Sequence, residues 1–143
     1  MGMKKKNRII FVLSLLGVIM AIYVLQSFLR NTGIVCVTNG CEVVRKNPAS
    51  WPFGIPVPAV GLVGYSFLMV LSFFRTMNSK LETKLLPPML GMATFGALFV
   101  SWFTYTEIVV IKGICTWCLL STINMYTIFI LLIIKDKLPR KRK

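Results

Sequence analysis

The sequence predicts an all-α membrane protein, a bundle of four transmembrane helices with an extracytoplasmic loop or lid between the first and the second. Three observations predict it. Hydrophobic residues make up 56% of the chain and mean hydropathy is +0.75. Four apolar runs, at residues 9–29, 56–74, 85–111 and 115–134, can each cross roughly 30 Å of hydrocarbon, which takes about 20 helical residues. The connections are short and leave no room for a soluble domain, so residues 1–143 read as a single integral membrane domain.

The first run follows Lys4, Lys5, Lys6 and Arg8. A basic start and an apolar centre also describe a signal peptide. This run is too long for one, and no small-x-small cleavage site follows it, so a retained helix is expected. The second run opens with Pro56 and Pro58; prolines cost little there, because the first N–H groups of a helix have no intrahelical partner anyway. Gly61 and Gly64 then permit a close approach, either by a neighbouring helix or by a ligand. In the third run Pro87 and Pro88 occupy the first turn, and Gly91, Ala93, Gly96 and Ala97 make a small-residue face suited to tight packing. Glu107, near the outer end of that run, is an ionisable group at membrane depth. Such groups are costly enough to suggest a function, against the plainer options of snorkelling or pairing with Lys112. Trp102, Tyr105 and Trp117 read first as interfacial anchors. The basic tail at 138–143 is most simply a membrane-surface and topology signal.

Orientation follows from the cations, since short cytoplasmic loops collect Lys and Arg. Of 17 in the chain, Lys4, Lys5, Lys6, Arg8, Arg75, Lys80, Lys84, Lys135, Lys137, Arg140, Lys141, Arg142 and Lys143 fall on one side. Only Arg30, Arg45, Lys46 and Lys112 fall on the other. Both termini are therefore expected in the cytoplasm of a multi-pass cell-membrane protein, and all four cysteines outside it, where disulfides persist.

Those cysteines form two pairs, Cys36 with Cys41 and Cys115 with Cys118. A dithiol that closes into a disulfide exchanges two electrons without any further cofactor, so the pairs read as a membrane dithiol relay. The loop at 30–55 is rich in Asn, Gly and Pro, and Cys36 and Cys41 can approach each other across the Asn39-Gly40 turn. Trp51 and Phe53 give it an aromatic edge suited to the lipid interface. The inner pair, Cys115-Thr116-Trp117-Cys118, opens the fourth helix. Unpaired N–H groups and the helix dipole favour a thiolate there, and Lys112 is expected to add positive charge, so one of these cysteines should be unusually acidic. A dithiol at that depth suits a lipid-soluble quinone as electron acceptor.

Other chemistries are poorly supplied. The chain has no histidine, and its four acids, Glu42, Glu82, Glu107 and Asp136, are scattered. Hydrolytic triads, paired carboxylates and ordinary catalytic zinc are not expected. A structural metal site would need the two pairs to converge as four thiolates, and no metal is expected. The net charge of +13 is accounted for by tails on anionic lipid, so no nucleic-acid partner is expected.

The stretch Cys36-Val37-Thr38-Asn39-Gly40-Cys41-Glu42-Val43-Val44, the element Phe53-Gly54-Ile55-Pro56, then Gly61-Leu62-Val63-Gly64-Tyr65 and the late Cys115-Thr116-Trp117-Cys118 together resemble the vitamin K epoxide reductase family in its bacterial or archaeal form. The order of these elements, covering most of the chain, carries the resemblance. It implies a four-helix bundle around a quinone, covered by a lid from the outer loop. It further implies that Cys36 exchanges with a thioredoxin-like protein, that Cys41 attacks Cys115, and that Cys118 faces the quinone. With no thioredoxin-like segment in the sequence, that donor is expected to be a separate extracytoplasmic chain. Tyr65, Asn47, Trp117 and Phe53 are the candidate quinone contacts; Asn47 stands where many members carry serine.

The function expected is thus a thiol:quinone oxidoreductase supporting disulfide formation, with ubiquinone, menaquinone or a similar quinone as acceptor. A DsbB-type thiol oxidase shares the four spans, but there the CxxC lies in the first outer loop and the wider pair in the second. A non-enzymatic membrane protein with structural disulfides or a metal site is the alternative from another class.

Overall fold

A computed structural model of the chain describes residues 3–78 and 80–136, without the side chains of Met3, Lys135 and Asp136. The basic tail expected to lie on lipid, with Lys137, Arg140, Lys141, Arg142 and Lys143, falls outside the described residues.

The described chain runs α1 (Met3–Arg30), α2 (Gly40–Lys46), α3 (Val57–Met77), α4 (Leu81–Lys84), α5 (Leu86–Thr106) and α6 (Thr116–Asp136), with no strand among the described residues. Four stretches, Lys4–Arg30, Val57–Met77, Leu81–Ile111 and Thr116–Ile134, are long and apolar enough to cross a membrane. The four long helices form the bundle: α1 lies along α3 and α6, and α5 packs against α6 and α3. Their outward faces carry Val12, Ile19, Val63, Leu98 and Ile123, all more than half exposed, the pattern of helices whose surroundings are as apolar as their core.

The helix boundaries follow local chemistry. Asn31, at φ 52, takes the left-handed position that ends α1. Prolines stand in the first turns of α3 and α5, as the sequence predicts. Polar side chains join the helices inside the bundle: Asn124 Nδ2 donates to the Leu13 carbonyl at 3.0 Å and Ser72 Oγ to the Asn7 carbonyl at 3.0 Å. Ala93, Ala97 and Gly96 of the small-residue face do pack tightly, Gly96 against Met125.

The core divides into two clusters along the bundle. One, around Ile10, Leu68, Met89, Ile128 and Leu132, fills the end that carries the N-terminal cations. The other, around Val24, Phe28, Val44, Phe103, Cys41 and Cys115, fills the opposite end. The 31–56 segment folds onto that second end as α2 followed by two short 3₁₀ turns, Pro48–Ser50 and Pro52–Gly54. The third span does not continue as one helix to residue 111: α5 stops at Thr106, a π turn covers Glu107–Ile111, and Lys112 at φ 55 reverses the chain into α6.

Candidate functional site

The site is built from α2 and the start of α6, pressed together at one end of the bundle. α2 has Glu42 in its first turn and Arg45 and Lys46 in its last, the arrangement its dipole favours. Its Cys41 and Val44, one turn apart, are buried on one face. Arg45 pins the helix from behind, donating to Glu42 Oε2 at 2.6 Å and to Asn31 Oδ1 at 3.0 Å. The Arg45 guanidinium also holds the Glu42 carboxyl below the usual carboxylate range. Ser50 Oγ and the Trp51 indole N–H donate to the Val44 and Arg45 carbonyls, closing the helix C-terminus.

Glycine sets how closely α2 approaches α6. A Cβ at Gly40 would collide with the Ile114 carbonyl oxygen, whereas Thr38 Oγ1 donates to that same oxygen at 3.3 Å. Gly113 gives way likewise to the Val43 side chain. The result is a chain of sulfurs. Cys36 and Cys41 are joined as a disulfide with Cα atoms 6.4 Å apart, and Cys41 Sγ lies 3.0 Å from Cys115 Sγ. Cys115 and Cys118 are free thiols. Access is graded along this chain: Cys36 is half-buried between the exposed Val35 and Val37, Cys41 and Cys115 are buried, and Cys118 opens onto a cavity.

Cys115 immediately precedes the first residue of α6. Its thiol is lowered from 9.0 to about 7, chiefly by a hydrogen bond from Cys118, with the backbone N–H groups of Cys118 and Trp117 adding to it against the cost of burial. The N–H groups of the helix start thus contribute to this acidity, but the neighbouring Cys118 thiol is its largest cause. Lys112 is not among its causes, because the left-handed turn leaves that side chain exposed.

The cavity lies between α1, α3, α5 and α6 and is almost wholly apolar. Tyr65, Trp117 and Cys118 line it, as do Gly61 and Gly64. A Cβ added at either glycine would meet nothing within 4 Å, so both face open space and neither is a helix-packing contact. Tyr65 Oη donates to the Ser121 carbonyl at 2.8 Å and lies 3.0 Å from Ser121 Oγ.

The structure therefore brings Cys36, Cys41, Cys115, Cys118, Tyr65 and Trp117 into one assembly. It leaves two of the residues singled out from sequence apart from the cavity. Asn47 caps the turn that follows α2, its Oδ1 accepting from the Ala49 N–H at 3.0 Å. Phe53 is fully exposed on the loop at φ 56.

One residue joins the site that the cysteine spacing did not point to. Glu107 is 2% exposed, and a carboxylate oxygen of it lies within 4.8 Å of both Cys115 Sγ and Cys118 Sγ. The signal for it was an acid inside an apolar run. Glu107, Cys115 and Cys118 are three possible metal donors, but the sulfur beside them, Cys41 Sγ, is held in its disulfide and is no thiolate, and a closed structural zinc site needs four ligands.

Residues 8–133 match the family described as the vitamin K epoxide reductase family. No curated protein matches the chain.

Proposed function

The chain belongs to the vitamin K epoxide reductase family, and from that premise we propose that it carries electrons from an extracytoplasmic thioredoxin-like protein, through Cys36 and Cys41 and then Cys115 and Cys118, to a quinone. Family membership makes it a multi-pass membrane thiol oxidoreductase. The observation that carries the finer reading is the 3.0 Å between Cys41 Sγ and Cys115 Sγ, which links the two pairs at the distance of an attack.

The steps are serial exchanges, each through a mixed disulfide. A thiolate of the donor attacks Cys36, the most accessible sulfur of the outer pair, and Cys41 leaves. When the inner pair is oxidised, Cys41 attacks Cys115; the Cys41–Cys115 bond forms and Cys118 is released. Cys36, freed by the donor's second thiol, then attacks Cys41, closes the outer disulfide and releases Cys115. An outer disulfide beside two inner thiols is the arrangement reached at this point. Cys115 and Cys118 next reclose their bond, giving up two electrons and two protons.

A bound quinone supplies the two-electron acceptor for that last step. The cavity suits one: it is apolar, has Cys118 on its wall, and is left open where Gly61 and Gly64 carry no side chain. Tyr65 and Trp117 are part of its wall, but their polar hydrogens are given to the Ser121 and Val35 carbonyls, so either would orient a quinone oxygen only by exchanging that bond. Asn47 and Phe53 enter this reading as parts of the lid.

The charge distribution supports an orientation with both termini cytoplasmic. The described cations Lys4, Lys5, Lys6, Arg8, Arg75, Lys80 and Lys84 gather at the end of the bundle opposite the four cysteines.

The test is quinone reduction by purified protein in detergent, driven by a reduced thioredoxin-like donor. Turnover in the wild type that vanishes in both Cys115→Ala and Cys118→Ala is the expected result. Cysteines that stay oxidised whether or not quinone is present would replace this reading with that of two structural disulfides.

A further inference from the structure

Glu107 is a carboxylic acid in a place where folding disfavours one. It is 2% exposed, and its Oε1 has no hydrogen-bond partner. The exposed Lys112, five residues on, makes no ion pair with it among the described residues. The other acid at this end of the bundle, Glu42, is paired with both Arg45 and Lys46. A buried carboxyl without a cation or a full set of donors lowers stability, so packing alone does not account for Glu107.

The backbone puts it there by an irregular turn. α5 widens into the π turn Glu107–Ile111, and the chain closes back through the Gly113 N–H, which donates to the Glu107 carbonyl at 3.1 Å. An α-helix carried on to residue 111 would lack this closure; the π turn and the left-handed Lys112 bring Glu107 and the start of α6 side by side. What the carboxyl then faces is the inner cysteine pair: its oxygen, Cys115 Sγ and Cys118 Sγ all lie within 4.8 Å of one another. The Cys118 thiol is a side-chain hydrogen-bond partner of this carboxyl and the Cys115 backbone N–H a second one, the contact through which a proton passes.

Resting on the thiol:quinone reading above, we propose that Glu107 handles the proton of Cys118. When Cys41 attacks Cys115, the Cys115–Cys118 bond breaks and Cys118 leaves with the electron pair. The Glu107 carboxylic acid gives Cys118 its proton. When Cys115 and Cys118 reclose their disulfide and two electrons pass to the quinone, that proton returns to the Glu107 carboxylate. The acid is restored once per cycle, and the two protons that complete the hydroquinone come from water. Without it, Cys118 would have to leave as a bare thiolate next to an apolar cavity.

The test compares wild type, Glu107→Gln, Glu107→Asp and Glu107→Ala in the donor-driven quinone assay. Steady-state turnover of Glu107→Gln is expected to fall about 10²-fold, the scale of one general acid–base group. Single-turnover opening of the Cys36–Cys41 disulfide by the donor is expected to stay unchanged. Glu107→Asp, which keeps an exchangeable proton, is expected to remain within about tenfold of wild type, and formate is expected to restore Glu107→Ala in proportion to its concentration. Should Glu107→Gln not fold, Glu107→Asp and formate rescue decide the matter alone.

Full turnover by Glu107→Gln while Cys118→Ala is dead would overturn this inference and leave the relay standing. A loss that neither aspartate nor formate repairs assigns Glu107 to packing and overturns it too. Metal that copurifies with wild type, is lost in Glu107→Gln and is required for turnover would replace it with a metal site. Absence of turnover in the wild type would instead overturn the thiol:quinone reading on which it rests.

Discussion

The Trp117 indole N–H donates to the Val35 carbonyl across 2.8 Å, tying the helix that carries Cys118 to the extended segment that carries Cys36. The Val35 N–H in turn donates to the Tyr23 hydroxyl at 3.4 Å, and the Tyr23 and Trp117 rings sit 5.0 Å apart. Two aromatic side chains thus hold both backbone polar groups of the residue next to Cys36, and one of them is also a wall of the cavity.

Trp117→Phe keeps the ring and removes the donor. A neutral hydrogen bond contributes about 1 kcal/mol net, so amide hydrogen exchange at residues 32–38 is expected to quicken by roughly fivefold, with exchange in α3 unchanged. Equal acceleration throughout the bundle would mean that Trp117 supports global packing and not the Cys36 segment.

Gly40→Ala addresses the contact that places Cys41. The new methyl would meet the Ile114 carbonyl, and relieving it moves α2 away from α6. A stability loss of about 1–3 kcal/mol is expected, as for other overpacked sites. Formation of the Cys41–Cys115 disulfide should slow with it. Gly113→Ala meets only the Val43 side chain at 3.2 Å, which can yield. It should cost less in both denaturant titration and disulfide yield.

Cys118→Ala removes the sulfur that competes with Cys41 for Cys115. With Cys41 Sγ 3.0 Å away, this variant is expected to accumulate a Cys41–Cys115 disulfide and an unpaired Cys36, readable by mass spectrometry of a non-reducing digest. Cys36→Ala should instead retain quinone reduction by small thiols and lose it with a protein donor. A Cys118→Ala digest containing only the Cys36–Cys41 disulfide would contradict the proposed order of attack.

How far the sequence disclosed this site depends on which residues are considered. Span composition and cation asymmetry rest on side-chain chemistry that needs no coordinates, and the four long helices stand close to the apolar runs. The cysteine order, with Tyr65 and Trp117, likewise pointed to residues that the fold assembles. Glu107 was visible only as an oddity, because helical periodicity cannot anticipate the π turn and left-handed Lys112 that deliver it to the cysteines eight residues later. Asn47 stands out through the family resemblance and Phe53 through the aromatic edge of the loop, but in a loop local turn chemistry decides where a side chain goes. Asn47 spends its side chain on capping, and Phe53 projects outward. The close fit of Gly40 on Ile114 depends on two segments 74 positions apart meeting, which no local pattern encodes.

The acidity of Cys115 gives a pH dependence. Its thiol ionises near pH 7 in the reduced inner pair against 9.0 for the unperturbed group. Attack by Cys115 on the Cys36–Cys41 disulfide, the reverse of the internal exchange, is therefore expected to rise with pH through about 7 and level off above it. The pKa is depressed on folding, so the stabilisation from this thiolate is complete above about 9 and is lost as pH falls through about 7. Quenching the exchange with acid at successive pH values and counting Cys41–Cys115 disulfide measures the first effect. A rate that keeps rising to pH 9 would show an ordinary thiol.

The most direct measurement is the number of quinones reduced by each fully reduced chain, mixed anaerobically with excess quinone and no donor. Two cysteine pairs store four electrons, so two quinones per wild-type chain are expected, one for the Cys36→Ala, Cys41→Ala double variant, and none for Cys118→Ala. One quinone per wild-type chain would mean that the outer pair does not feed the inner one, and any quinone reduced by Cys118→Ala would contradict its place at the end of the relay.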